Sequence, residues 1–286
     1  MHCTYGCILI SSLKLIIKIF RSLTAYDHFL IFLIILSVLK IADVFLDDGA
    51  GAGIHFLILG ALLFVISSIL FFGFKYLTKQ KKKYQHALIS TFLILLMLSH
   101  ADPDPVRGIL VIFLLYISKF FITYKKQTIF NPIAFAIGTT TLIAMVIPFI
   151  EIAPLDFSGI DIRFTILGQL VPIALVPISL SLLFNVGRIR KHRLALAFII
   201  PSLLFGFFFP EYTDNFTSFA LAIVFMGTAI IVEPKTSPHK ANEQLIYGIS
   251  IAVIVFGLHV FKVPNALVLG LMACNVLYFI FKQKRA

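Results

Sequence analysis

The chain has 286 residues, 60% of them hydrophobic and 13% charged, with a mean hydropathy of +1.02 and a formal net charge of +11. A soluble protein carries about a quarter charged residues, and a β-barrel would show short alternating segments, so the composition points to an all-α polytopic protein whose first partner is the lipid bilayer. The positive charges concentrate in every second loop, the pattern of membrane orientation; with no zinc-finger spacing, RNA-binding aromatic motif or soluble basic domain, no nucleic-acid partner is expected.

Residues 1–25 hold an apolar stretch interrupted by Lys14, Lys18 and Arg21. They read as an amphipathic segment in the membrane interface rather than a cleaved signal peptide. Cys3, Cys7 and Cys274 give neither a metal nor a disulfide framework. Ten spans follow, at 29–45, 53–74, 86–98, 108–122, 132–150, 167–186, 194–209, 216–232, 245–261 and 264–281. Several are shorter than the roughly 20 residues of a perpendicular helix, which suits helices that are broken or line a cavity.

The charges fit this count. Lys75, Lys79 and Lys81 to Lys83 follow span two, Lys125 and Lys126 follow span four, Arg188 to Arg193 follow span six, and Lys235 and Lys240 follow span eight. The alternate loops hold Asp43, Asp47, Asp48, Asp102, Asp104, Glu151, Asp156, Asp161, Glu211 and Asp214. The positive-inside rule then places both termini in the cytoplasm and the chain in the inner, cytoplasmic membrane. Arg107 and Arg163 are minority positives on the outer side, and Lys262, in the short loop before span ten, is the one real exception.

A repeat emerges from the same reading. Asp102-Pro103-Asp104-Pro105 after span three is matched by Glu233-Pro234 after span eight, and Asn131-Pro132 before span five by Pro264-Asn265 before span ten. The offsets, 131 residues from 102 to 233 and 134 from 131 to 265, nearly agree. A unit of five spans repeated once must be inverted across the membrane. The expected architecture is therefore a five-plus-five inverted repeat, residues 26–152 and 153–286, with a site between the halves.

The stretch from Lys119 to Thr141 is a basic hairpin feeding span five. Asn131 is placed to accept from the free N–H groups of a helix start, and Pro132 fits the first turn. The helix dipole and the Lys125 and Lys126 charges suit a phosphate or another anion. Thr139, Thr140 and Thr141 lie within the span, either back-bonded to the preceding turn or lining a polar path. Glu233–Pro238 (EPKTSP) is a stiff polar hook whose Thr236 and Ser237 hydroxyls suit a cofactor ring or phosphate. The outer tract 99–106 (SHADPDPV) is a solvated helix stop or a place where cations gather. Lys40 and Lys119, near span ends, read as snorkelling side chains. Asn185 and Asn275 can bond between helices. Gly49, Gly51 and Gly53 read as a structural turn, since no strand precedes them. No span holds a carboxylate near its middle, which argues against a buried proton relay.

The Phe130-Asn131-Pro132-Ile133-Ala134-Phe135 stretch, and Glu233–Pro238 followed by Tyr247-Gly248, resemble a family of membrane subunits common to two complexes, the sodium-translocating NADH:quinone reductase and the Rnf-type electron-transport complex. That family has an F-N-P-x-x-F motif after a basic run and a D-P-x-T-x-P motif after a later span; Glu233 stands here for the Asp. The resemblance implies ten spans in two inverted halves, like urea and ammonium channels, and a flavin cofactor. The family's S-G-A-T acceptor of covalent FMN corresponds to Ser158-Gly159-Ile160-Asp161, with Thr165 a displaced candidate for the acceptor. The acceptor is missing, so a non-covalent flavin, FMN or riboflavin, is expected.

The functional expectation is an integral membrane subunit of a flavin-dependent, ion-translocating electron-transport system, with a soluble flavin or iron–sulfur oxidoreductase subunit as partner. Asn131, Pro132, Lys125, Lys126, Thr139, Thr236, Ser237, Ser158 and Thr165 are the candidate cofactor residues; no metal ligands are expected. The rival reading is a channel or carrier for a small solute on the same scaffold. A third is a scaffold subunit that only anchors a reductase.

Overall fold

A chain that crosses lipid must close its backbone hydrogen bonds within itself, and long apolar stretches do so as helix. The computed structural model describes residues 22–98, 105–125, 127–147, 162–166, 169–181, 185–208 and 216–284. The interfacial segment 1–21, Lys126, most of the outer tract 99–106 and the loop holding Ser158 lie outside these residues.

The fold is all-α. Helix α1 is Ala25–Asp47, α2 Gly49–Thr78, α3 Gln85–Met97, α4 Pro105–Phe120, α5 Pro132–Val146, α6 Leu175–Ser181, α7 His192–Gly206, α8 Phe216–Phe225, α9 Ala241–Val260 and α10 Ala266–Lys284. A π-helical turn, Met226–Ile230, continues α8. Two hairpins accompany the helices: β1 (Thr123–Tyr124) with β2 (Gln127–Thr128), and β3 (Arg163–Ile166) with β4 (Gln169–Pro172). Helices α1, α2, α9 and α10 are long and apolar enough to cross a bilayer, and α3, α5, α7 and α8 with its π turn are shorter apolar helices. Ile35 and Val38 on α1, Ile58, Val65 and Ile69 on α2, and Ile246 and Val253 on α9 are exposed. Apolar surface on this scale marks contact with lipid, so the protein is a multi-pass membrane protein.

Helix α1 opens with a capping box, in which Thr24 Oγ1 accepts from the Asp27 N–H and the Asp27 carboxylate accepts from the Thr24 N–H at 2.8 Å. Helix α2 packs on α4 and α4 on α5; α7 packs on α9 and α9 on α10; α5 meets α10 and α1 meets α6. Ser67 on α2 bonds both Thr91 on α3 and Tyr116 on α4, a buried polar cross-link inside an apolar core. At one end of the bundle the basic loops are stitched together. Gln80 donates to the Phe120 carbonyl (3.1 Å), Gln85 to Asp27 (2.6 Å), Gln244 to the Arg190 carbonyl (3.2 Å), and Lys282 to Gln127 (3.3 Å). The Arg188 guanidinium donates to the Leu23 carbonyl.

Three local expectations change. The Gly49–Gly53 stretch is the first turns of α2, not a turn between helices; only Gly49, at φ +86°, needs glycine's freedom. The stretch 167–186 does not open as a helix: strand β4 occupies its start, and the α-helix begins at Leu175. Lys40 does not snorkel. It is fully buried, 3.7 Å from Asp43 one turn on, and the opposite charge lets it stay inside.

Candidate functional site

Strands β1 and β2 pair Thr123 with Thr128 and Tyr124 with Gln127, and Lys125 takes a left-handed φ of +47° at the turn. The chain then enters α5. Asn131 Oδ1 accepts from the Ile133 and Ala134 N–H groups at 3.0 and 3.2 Å, with Pro132 in the first turn. Its Nδ2 crosses the bundle and donates to the Ile230 carbonyl at 2.8 Å. Ile230 closes the π turn, a widened turn of a kind common at functional sites.

The hook at Glu233–Pro238 follows at once. Ser237 Oγ donates to the Glu233 carbonyl (2.7 Å) and Thr236 Oγ1 to the Glu233 carboxylate (3.2 Å). Lys191, 1% exposed ahead of α7, donates to the Ser237 carbonyl at 3.2 Å and to the Pro238 carbonyl. Burial pushes its amine down to about 8. Lys191 is thus a buried strut that fixes the hook against the second half of the chain.

Between the hairpin and the hook lies a cavity of about 120 Å³, walled by Tyr26, Phe29, Lys82, Lys119, Asn131 and Glu233 among others. Lys119 does not snorkel either: its Nζ turns inward and donates to the His86 carbonyl (2.8 Å) and to Ser90 Oγ. Lys82 donates to the Lys119 carbonyl and stands 4.3 Å from the centroid of the Phe120 ring. Burial, helped by Lys235, pushes the Lys82 amine down to about 8. Burial raises the Glu233 carboxyl, against the pull of Lys119. Three lysines, Lys82, Lys119 and Lys235, thus face one carboxylate, Glu233, in this cavity. Thr128 Oγ1 and Asn185 Oδ1 line it and have no hydrogen-bond partner among the described residues. Buried polar atoms are normally paired, so these two are where a ligand would be held.

A second cavity of about 540 Å³ shares Thr128 and Lys235 with the first and lies between the hairpin, the hook and α10. The sequence candidates divide between the two. Asn131 and Pro132 line the first; Lys125 and Thr236 line the second. Ser237 is spent on holding the hook. Thr139 lines neither cavity, and its neighbours Thr140 and Thr141 back-bond to Ala136 and Ile137 at 2.8 and 2.9 Å. Thr165 lies in β3, in a hairpin separate from that of β1 and β2. No metal-binding group of His, Cys, Asp and Glu occurs among the described residues. Lys82, Thr128 and Lys191 are site-builders that the sequence did not mark out. The run Lys81-Lys82-Lys83 registers as orientation charge only, and nothing in linear order says which of the three turns inward. The chain matches no protein-family model and no curated protein.

Proposed function

We propose that the chain is an integral membrane subunit of a flavin-dependent electron-transport system, built as two five-helix halves of opposite orientation. The packing supports the repeat. The α2–α4, α4–α5 and α2–α3 contacts of the first half recur as α7–α9, α9–α10 and α7–α8 in the second, while α1–α6 and α5–α10 pair equivalent helices across the centre. The basic loops gathered at one end support a cytoplasmic side for that end.

The observation that carries the functional reading is the Asn131–Ile230 bond. It joins the F-N-P segment to the start of the E-P-K-T-S-P hook across 99 residues, and both segments wall one cationic cavity. Its free groups suit a non-covalent flavin. Asn185 Oδ1 can accept from a ring N–H, the Thr128 hydroxyl can donate to a ring carbonyl, and Lys82 and Lys119 offset a phosphate or a reduced ring. A bound flavin supplies one- and two-electron transfer. The chain's own part is to orient the ring, exclude water with Phe29, Ile89 and Ile133, and present a basic face to a soluble flavin or iron–sulfur partner. Chain purified from flavin-replete cells is expected to carry flavin that denaturation releases; a colourless preparation overturns the reading.

The size of the inner cavity favours the rival. Sites for organic ligands run to about 300–1,000 Å³, and the inner cavity is about 120 Å³. A small inorganic anion fits it without movement of the walls, which is what a carrier for such an anion would show. Uptake of labelled phosphate or sulfate into liposomes holding the chain alone, with no redox partner, separates the two readings.

A further inference from the structure

We propose that the larger cavity is a separate binding site for a planar aromatic phosphate monoester, the chemistry of a nucleotide. It does not depend on flavin in the inner cavity. Its walls combine two kinds of group. Tyr124 and Phe279 meet edge to face with centroids 5.4 Å apart, and Tyr278 stands beside them. Lys125, Lys235 and Lys282 bring three exposed ammonium groups to the same space, and no carboxylate lines it among the described residues. Two carboxylates approach without lining it: Glu243 accepts from the Tyr278 hydroxyl at 3.4 Å, and Glu233 accepts from Thr236 Oγ1 at 3.2 Å.

The independent observation is Asn275. It is 1% exposed and lines the cavity. Tyr247 donates its phenol hydrogen to Asn275 Oδ1, and that bond fixes the amide. Asn275 Nδ2 is left buried with no partner among the described residues. A buried donor costs stability until it meets an acceptor, and a phosphate oxygen or ring nitrogen supplies one. The volume, about 540 Å³, falls in the range of organic-ligand sites. A lone inorganic anion would leave the aromatic wall unused, and a flat uncharged ring would leave the lysines unused.

The test is isothermal titration of the full chain in detergent with adenosine 5′-monophosphate, with adenosine and inorganic phosphate as the two halves. The monophosphate is expected to bind, each half to bind at least about tenfold more weakly, and binding to weaken with salt. Lys125→Gln with Lys282→Gln, both at exposed positions, is expected to lower affinity about tenfold. Phe279→Leu is expected to weaken the monophosphate while leaving inorganic phosphate unchanged. No binding, equal binding of inorganic phosphate, or affinity unaltered in the lysine pair overturns the proposal. So does loss of the signal when the chain is moved into nanodiscs rich in phosphatidylglycerol, because a lipid phosphate would then be the natural occupant. FMN shares this chemistry, so flavin that stays bound in the Lys125 and Lys282 double variant reads the inner cavity, and adenosine monophosphate lost from that variant reads the larger one; the two proposals then fail separately.

Discussion

Asn131 does two jobs with one amide. Its oxygen caps α5 and its nitrogen holds the Ile230 carbonyl at the end of the π turn. The first job was legible in the sequence, because Asn-Pro before an apolar run is a helix-start signal that depends only on neighbours. The second was not, because it spans 99 residues and ends on a backbone atom. Asn131→Ala removes the cap and strands a buried carbonyl, for a loss of about 2–4 kcal/mol. Asn131→Ser keeps a capping oxygen and loses the bridge without adding a charge, so it should lie between the two in denaturant unfolding; equal stability of all three would refute the double role.

Lys82 carries a pH prediction. Its folded value of about 8 lies below the ordinary 10.5, so between those values the unfolded chain holds a proton that the folded chain has released. Stability then rises with pH across that window. Anion binding in the inner cavity moves the other way, because Lys82 loses its charge as pH rises through about 8. Affinity for an anion should fall about tenfold between pH 7 and pH 9, and Lys82→Met should flatten the profile. A wild-type profile already flat would remove Lys82 from the site.

At the scale of elements, close approach of helices is set by small residues. A Cβ on Gly248 of α9 would meet the Leu194 carbonyl and the Ala197 Cβ of α7, both at 2.8 Å. One neighbour is backbone and cannot swing aside, so Gly248→Ala should force the helices apart at about 1–3 kcal/mol. Gly51 has nothing within 4 Å, and Gly51→Ala in α2 should be neutral or stabilising by up to about 1 kcal/mol. Thermal unfolding in detergent reads both; the same effect for the two would mean that the α7–α9 packing is wrong.

The positions of most apolar helices were legible from hydropathy, and four of them are long and apolar enough to cross a bilayer. The departures have local causes: Pro172 ends the β4 strand, whose pairing holds residues 169–172 out of helix, and the glycine run can join α2 because glycine permits helix as well as turn. The hook's stiffness was visible in its prolines, yet its placement depends on Lys191, 46 and 47 residues before its two acceptors. Lys191→Ala should open the hook, seen as faster proteolysis after Lys235; an unchanged rate would mean that the strut is idle.

For the whole molecule, the alternating charge of the loops predicts which ends lie together, and the hydrogen bonds between those loops place them at one end of the bundle. What linear order could not give was the convergence of hairpin and hook, because it rests on a bond between groups 99 residues apart. The account rests on those halves being oppositely oriented, so that Gln127 before α5 and Lys262 before α10 occupy equivalent places on opposite faces. Single cysteines at these two positions, in a chain whose Cys3, Cys7 and Cys274 are replaced, can be labelled in intact cells with a reagent that does not cross the membrane. The account predicts that the cysteine at 262 is labelled and the one at 127 is protected until the cells are lysed. Labelling of both from the same side would contradict it.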